Sequence, residues 1–113
     1  MSNCPFCERI NDGDASLLEH FWDTVHFEPL NPVTPGHRLF VPVDHTEHPD
    51  HDAVAEAFSA AEWWGGQHAE QFNLITSSGP AATQTIPHIH VHYVPRRTGD
   101  GLHLPWTNQE ARP

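Results

Sequence analysis

The segment "PHIHVHYVPRR" sets histidines at 88, 90 and 92, fills the alternate positions with isoleucine, valine and tyrosine, and follows them with Arg96 and Arg97. This alternation predicts a β-strand over 88–94, with imidazoles on one face and apolar side chains on the other. The rings would stand roughly 6.5–7 Å apart along that face. A strand gains nothing in β-propensity from alternate histidines, and three on one face repel whenever they protonate. A chemical use explains them better. One candidate is a histidine-rich metal site, as in metal-dependent hydrolases or oxygenases. The other is an imidazole nucleophile toward phosphorus, whose neighbours hold or protonate what surrounds it. Alternate residues of one strand splay instead of converging on an ion. The hydroxyls of Ser77, Ser78, Thr83 and Thr85, the amide of Gln84, and Arg96 are groups that suit a phosphate. The phosphorus reading accounts for more of the surroundings.

Cys4 and Cys7 form a C-x-x-C at the start of the chain. Such a pair can be a redox couple, half of a zinc site, or two bystanders. Redox couples sit between a strand and a helix of a βαβ unit, which this position does not offer. A zinc site built on one cysteine pair needs histidines. The chain has 11 of them, gathered in the zones 37–51 and 88–103. Taken singly, His20, His26, His51 and His68 read as ordinary, partly buried polar residues.

With 113 residues the chain suits one domain, 1–113, with one core. Five basic against 15 acidic residues give a net charge of -10, which repels phosphate backbones and anionic membranes. Neither an apolar stretch of membrane-spanning length nor a signal-like start is present, so a cytoplasmic protein is expected.

The elements that must position these residues follow from the punctuation. Leu17–Trp22 and Thr24–Leu30 read as strands of a hairpin, "RLFVPVDH" as a strand entering a histidine-bearing loop, and "NLITSSG" as a strand before the histidine segment. Residues 52–72 read as the main helix, capped by Asp52 and kinked or shortened at Gly65-Gly66. The result is an α+β fold: a mostly antiparallel sheet of about five strands, one main helix and a shorter second one. The tail carries too much glycine and proline for regular structure, and Trp106 is expected to pack on its own domain. Four tryptophans and six phenylalanines are much aromatic bulk for one small core. Trp63 and Trp64 point about 100° apart on a helix, so at least one should meet another surface. A homodimer through this helix and a neighbouring strand is expected.

The sequence resembles the histidine triad family. "HIHVHYV" matches the pattern of that family's triad, "GPAATQTIPHIHVHYVPR" is similar to its loop and catalytic strand, "NPVTPGHRLFVPVDH" to its earlier signature, and "CPFCERI" to the opening of its zinc-carrying branch. The resemblance implies a nucleotidyl hydrolase or transferase acting at the α-phosphate of a nucleotide derivative, a phosphoramidate or dinucleoside polyphosphate. It implies His90 as the nucleophile that becomes covalently nucleotidylated, and His92 as the group beside the leaving group. It implies a structural Zn2+ on Cys4, Cys7, His45 and His88, with His48 the rival of His45. Gln84 and Thr85 match polar positions of the phosphate loop. Ser77 stands where relatives often carry asparagine, Thr83 where they carry glycine, and Pro29 where they carry an aspartate for the ribose, which leaves Glu28 to substitute. Small members of the family are commonly dimers. Two other functions stay open on these residues: a nucleotide-binding module with weak or lost catalysis, and a zinc-dependent hydrolase using the histidine triplet.

Overall fold

The computed structural model describes residues 4–47 and 50–107. Helix α1 (Pro5–Asn11) is the shorter helix; strands β1 (Ser16–Leu18), β2 (Phe21–Phe27) and β3 (Arg38–Pro42) follow, then helix α2 (His51–His68), β4 (Phe72–Thr76) and β5 (Val91–Pro95). The strands form one sheet in the order β1-β2-β3-β5-β4, and every pairing is antiparallel. The expected α+β class holds.

The period of two divides the side chains between two faces. Phe40, Val91 and Tyr93 face α2 and pack with Ala57, Ala60 and Ala61. Val25, Phe27, Leu39 and Val41 face the other way and are covered by Cys4 and Phe6. Alanines on the buried stripe of α2 let the helix lie close to the sheet. No helix among the described residues is long and apolar enough to cross a membrane.

Several boundaries differ from the sequence reading. The histidine segment joins the sheet only at Val91, which pairs with Phe40 and Thr76. His88–His90 precede the ladder, and the Ile89 N–H instead donates to the Thr46 carbonyl at 2.6 Å, because the loop after β3 crosses there. The first hairpin turns inside the segment expected as a strand, with His20 at a φ of 74°. Asp50, not Asp52, caps α2: its carboxylate accepts from the N–H groups of Asp52 and Ala53, both at 3.1 Å. The helix runs through Gly65-Gly66 and ends at His68, four residues short of Phe72, which opens β4. Trp106 is 61% exposed and does not pack on the domain as expected.

Gly65 is there for packing. A Cβ at this position would stand 2.7 Å from the Phe72 ring, whereas at Gly66 it would meet nothing within 4 Å among the described residues. Gly65→Ala is therefore expected to lower stability by about 1–3 kcal/mol despite its gain in helix propensity. Gly66→Ala is expected to raise it by up to about 1 kcal/mol. Urea denaturation of the two variants checks the pair, and equal shifts of the midpoint would contradict the packing account.

Candidate functional site

Four thiol and imidazole groups converge at the start of α1. Cys4 caps the helix, and its sulfur accepts from the Cys7 N–H at 3.5 Å. His88 Nδ1 lies 3.4 Å from Cys4 Sγ and 3.5 Å from Cys7 Sγ, and His45 Nδ1 lies 3.4 Å from Cys7 Sγ. One donor atom from each of the four residues lies within 4.8 Å of the others. Tetrahedral zinc with bonds of about 2.0–2.3 Å wants donors about 3.3–3.8 Å apart, so the three measured separations fit it. The His88 Nε2–H donates to the Pro42 carbonyl at 2.8 Å, which leaves the Nδ1 lone pair facing the thiols. Both cysteines are free of a disulfide. His48 lies outside the described residues.

Two residues on, His90 turns to the α1 side of the sheet. Its Nδ1–H donates to the His88 carbonyl at 2.8 Å, so Nε2 carries the lone pair. The Thr76 hydroxyl fixes the backbone here by donating to the His90 carbonyl at 2.6 Å. The Phe6 ring stands T-shaped against the imidazole, with centroids 5.0 Å apart. Burial holds the His90 pKa below the ordinary histidine value, which keeps the ring neutral.

His92 is set by a residue the sequence reading did not single out, His37. The Val33 N–H donates to His37 Nδ1 at 3.1 Å, so the His37 proton sits on Nε2 and donates to His92 Nδ1 at 3.0 Å. His92 must then carry its own proton on Nε2. Burial, followed by the neighbouring His90 and His37, lowers the His92 pKa to about 4. A lone-pair nitrogen and an N–H donor thus stand side by side, their rings 5.0 Å apart, both uncharged. The signal for His37 was its register: it lies just before β3, in which Leu39 pairs with His92. It lies within the segment "NPVTPGHRLFVPVDH" that resembles the family's earlier signature, but nothing in that segment alone assigns it a partner.

His90 and His92 line a cavity of about 420 Å³ whose apolar wall includes Phe6, Phe27, Leu30 and Ile86. Ser77, Thr83 and Thr85 also line it, and Arg9 supplies its positive charge. A smaller cavity of about 270 Å³ adjoins; His37, Ser77, Thr83 and His92 belong to both. Two expected site residues are not brought to either cavity. The Gln84 amide is spent on backbone groups, accepting from the Gly79 N–H of its own loop at 2.8 Å and donating to the Glu47 carbonyl of the loop after β3 at 3.3 Å. Glu28 is exposed beyond the end of β2, and its charge acts on Arg38, on the α2 side. Its carbonyl accepts from Arg9 Nη1 at 2.8 Å. Pro29 lines the larger cavity itself. The triplet does not gather round one ion as an open metal site would require: His88 joins the cysteines, while the other two face the cavity.

Thr83 adopts the left-handed conformation, φ 66° and ψ 30°, which glycine takes without strain. A β-branched residue there costs about 1–2 kcal/mol. Thr83→Gly is expected to stabilise the protein by up to about 1 kcal/mol, the gain being reduced by the freer unfolded chain. A denaturation midpoint that falls would count against this backbone assignment.

Comparison with known proteins agrees with this geometry. The sequence model of the HIT domain family matches residues 12–99. The chain is 30% identical over 121 residues to the adenylylsulfatase HINT3 of Arabidopsis thaliana, covering 98% of this chain and 59% of that protein. It is 32% identical over 110 residues to a HIT-like protein of Mycobacterium tuberculosis, covering 88% of this chain and 75% of that one. A zinc-bound histidine triad family protein from Mycobacterium smegmatis has the same fold, with a TM-score of 0.76, 32% identity, and coverage of 89% of this chain and 80% of that one. With its histidine segment, its five-stranded antiparallel sheet and a family match over most of its length, the chain belongs to the HIT domain family.

Proposed function

We propose that the protein is a nucleotidyl hydrolase or transferase that acts at the α-phosphate of a nucleotide derivative through His90. The observation that carries the reading is the pair of tautomers: a neutral His90 with its Nε2 lone pair, beside a neutral His92 with an Nε2–H. In the first step His90 Nε2 forms a bond to the α-phosphorus while the bond from phosphorus to the leaving group breaks. The electron pair leaves with the departing atom, which accepts a hydrogen bond from the His92 Nε2–H. The nucleotidylated imidazole is positive, and its Nδ1–H remains directed at the His88 carbonyl. In the second step water attacks phosphorus, the P–N bond breaks, His90 regains its lone pair, and one proton leaves to solvent. Dividing the displacement in two is the gain of a covalent nucleophile.

Because His92 is neutral and its Nδ1 already accepts from His37, it can donate a hydrogen bond without a ready means of replacing a lost proton. Leaving groups that depart as oxyanions, such as sulfate or a nucleoside phosphate, suit this arrangement; an amine would have to carry its own proton. Cys4, Cys7, His45 and His88 would hold Zn2+ in a closed site that fastens α1 beneath the nucleophile. Phe6, Phe27 and Ile86 offer the apolar wall a nucleoside base needs, with Ser77, Thr83, Thr85 and Arg9 as polar contacts. Homodimer formation belongs to the same proposal. Trp64 packs against His26 and Phe40, which leaves Trp63, 42% exposed, to meet a second copy.

Intact-protein mass measured on samples quenched within one turnover of an adenylyl sulfate or a dinucleoside polyphosphate tests the mechanism. A nucleotidyl adduct on the wild type that His90→Asn lacks is expected. Turnover that passes through no adduct would overturn it.

A further inference from the structure

On the α2 side of the sheet, behind the histidines, lies another cavity, of about 640 Å³. The chain has only five basic residues, all arginines, and Arg38, Arg96 and Arg97 line this one space. They are not equivalent. Arg96 is committed to structure: its guanidinium donates to Asp100 at 2.8 and 3.1 Å and to Asn73 at 2.7 Å. Arg97 donates from Nη2 to the Thr34 hydroxyl at 3.2 Å. Arg38 is half-buried, and its Nε donates to His26 Nδ1 at 2.8 Å. His26 is a neutral acceptor, its pKa lowered to about 4 chiefly by burial, so it orients the guanidinium without neutralising it. The guanidinium carbon stands 5.3 Å from the centroid of Trp64, which stacks on His68 at 3.7 Å. No carboxylate among the described residues lies within ion-pair distance of Arg38; Glu28 acts on it only from farther off.

A second observation is independent of the arginines. Tyr93 is 1% exposed, yet its hydroxyl makes no hydrogen bond among the described residues. No polar side-chain atom there is both fully buried and unpaired, so this oxygen must open on free space. The space that Tyr93 lines is this cavity. Buried tyrosines ordinarily find a partner for the hydroxyl, and a half-buried guanidinium ordinarily finds an anion. Arg38 and Tyr93 face one another across the sheet as a register pair.

We infer that this cavity is a second ligand site, one that takes a small organic acid: an oxyanion held by Arg38 and the Tyr93 hydroxyl, with an apolar body against Trp64. A planar guanidinium held on an aromatic face is suited to a carboxylate or a phosphate monoester. The volume exceeds what an inorganic ion needs and lies in the range of small-molecule sites. Pro35 and Pro95 add apolar wall, and Glu70 is the one carboxylate in the lining, which repels a dianionic ligand more than a monoanionic one. The site lies on the sheet face opposite His90 and does not rest on the nucleotide reading.

Titration of the full-length protein with benzoate and with phenyl phosphate, followed by the Trp64 indole N–H signal in NMR spectra and assigned through Trp64→Phe, tests the inference. Saturable shifts are expected with one or both acids, and the tighter of the two identifies the headgroup. Benzyl alcohol, which has the body without the charge, should not saturate. Arg38→Gln and Tyr93→Phe should each weaken binding by about tenfold or more, whereas His90→Asn should leave it unchanged. Tyr93→Phe removes only the unpartnered oxygen and keeps the packing, so it reads binding even if Arg38→Gln unfolds. No saturable shift with either acid, or a shift that persists in Tyr93→Phe and vanishes in His90→Asn, would overturn the second site.

Discussion

Turnover of an adenylyl sulfate or dinucleoside polyphosphate is expected to fall at least about a thousandfold in His90→Asn, with nucleotide still bound and the fold retained. The asparagine amide can keep the donation to the His88 carbonyl, yet it presents no lone-pair nitrogen to phosphorus. Binding contacts from Phe6, Phe27 and the loop hydroxyls are untouched, so KM should change much less than kcat. His92→Asn offers the contrast. It removes a hydrogen bond to the departing atom, and the loss should be smaller, about ten- to a hundredfold, and greatest for the poorest leaving group. His37→Gln keeps a donor to His92 Nδ1 and should cost less again, while His37→Phe leaves the His92 tautomer free to change. Retention of a tenth of wild-type turnover in His90→Asn would rule out the covalent step.

How far the site could be read from sequence depends on whether a residue's role follows from its own neighbours or from another strand. The period of two through "VHYV" is local, and the strand and the sorting of its side chains onto two faces follow from it. Cys4 and Cys7 are likewise local, and their meeting with His45 and His88 was accessible through resemblance, since 81 residues separate Cys7 from His88. Gln84 and Glu28 went the other way. Both are polar residues at apt positions, but Gln84 is consumed in closing its own loop, and chain alternation directs Glu28 toward Arg38. His37 sits in a quoted signature, but its pairing with His92 was legible only with the β3–β5 register in hand. The Arg38–His26–Trp64 cluster had no signal at all. It joins two strands and a helix, and each member alone reads as a surface arginine, a core histidine and a helix aromatic. The early start expected for β5 has a physical cause of the same kind, because the backbone at His88–His90 pairs with a loop whose path no local pattern predicts.

Removal of zinc is expected to lower the melting temperature by on the order of 10 °C or more while leaving the rate of the chemical step nearly unchanged in the molecules that stay folded. The reasoning begins with what the four donors connect. Cys4 and Cys7 belong to the cap and first turns of α1, His45 to the loop after β3, and His88 to the segment leading into β5. Without a metal these pieces meet through weak thiol–imidazole contacts of 3.4–3.5 Å. With one, they are tied by bonds of a strength that small metal-bound domains rely on for folding. Phe6, which braces His90, sits between the two cysteines, so loosening α1 also exposes the buried cluster of Val25, Phe27, Leu39 and Val41. Cys7→Ser should reproduce the effect of a chelator, and metal analysis of the wild type should give about one zinc per chain. Four protein donors leave no position for a water or a phosphate oxygen, so cobalt substitution should restore the melting temperature without a new pH dependence of turnover. A chelated protein that melts like the wild type would remove the structural role, and activity that vanishes at unchanged melting temperature would transfer the metal to the chemistry.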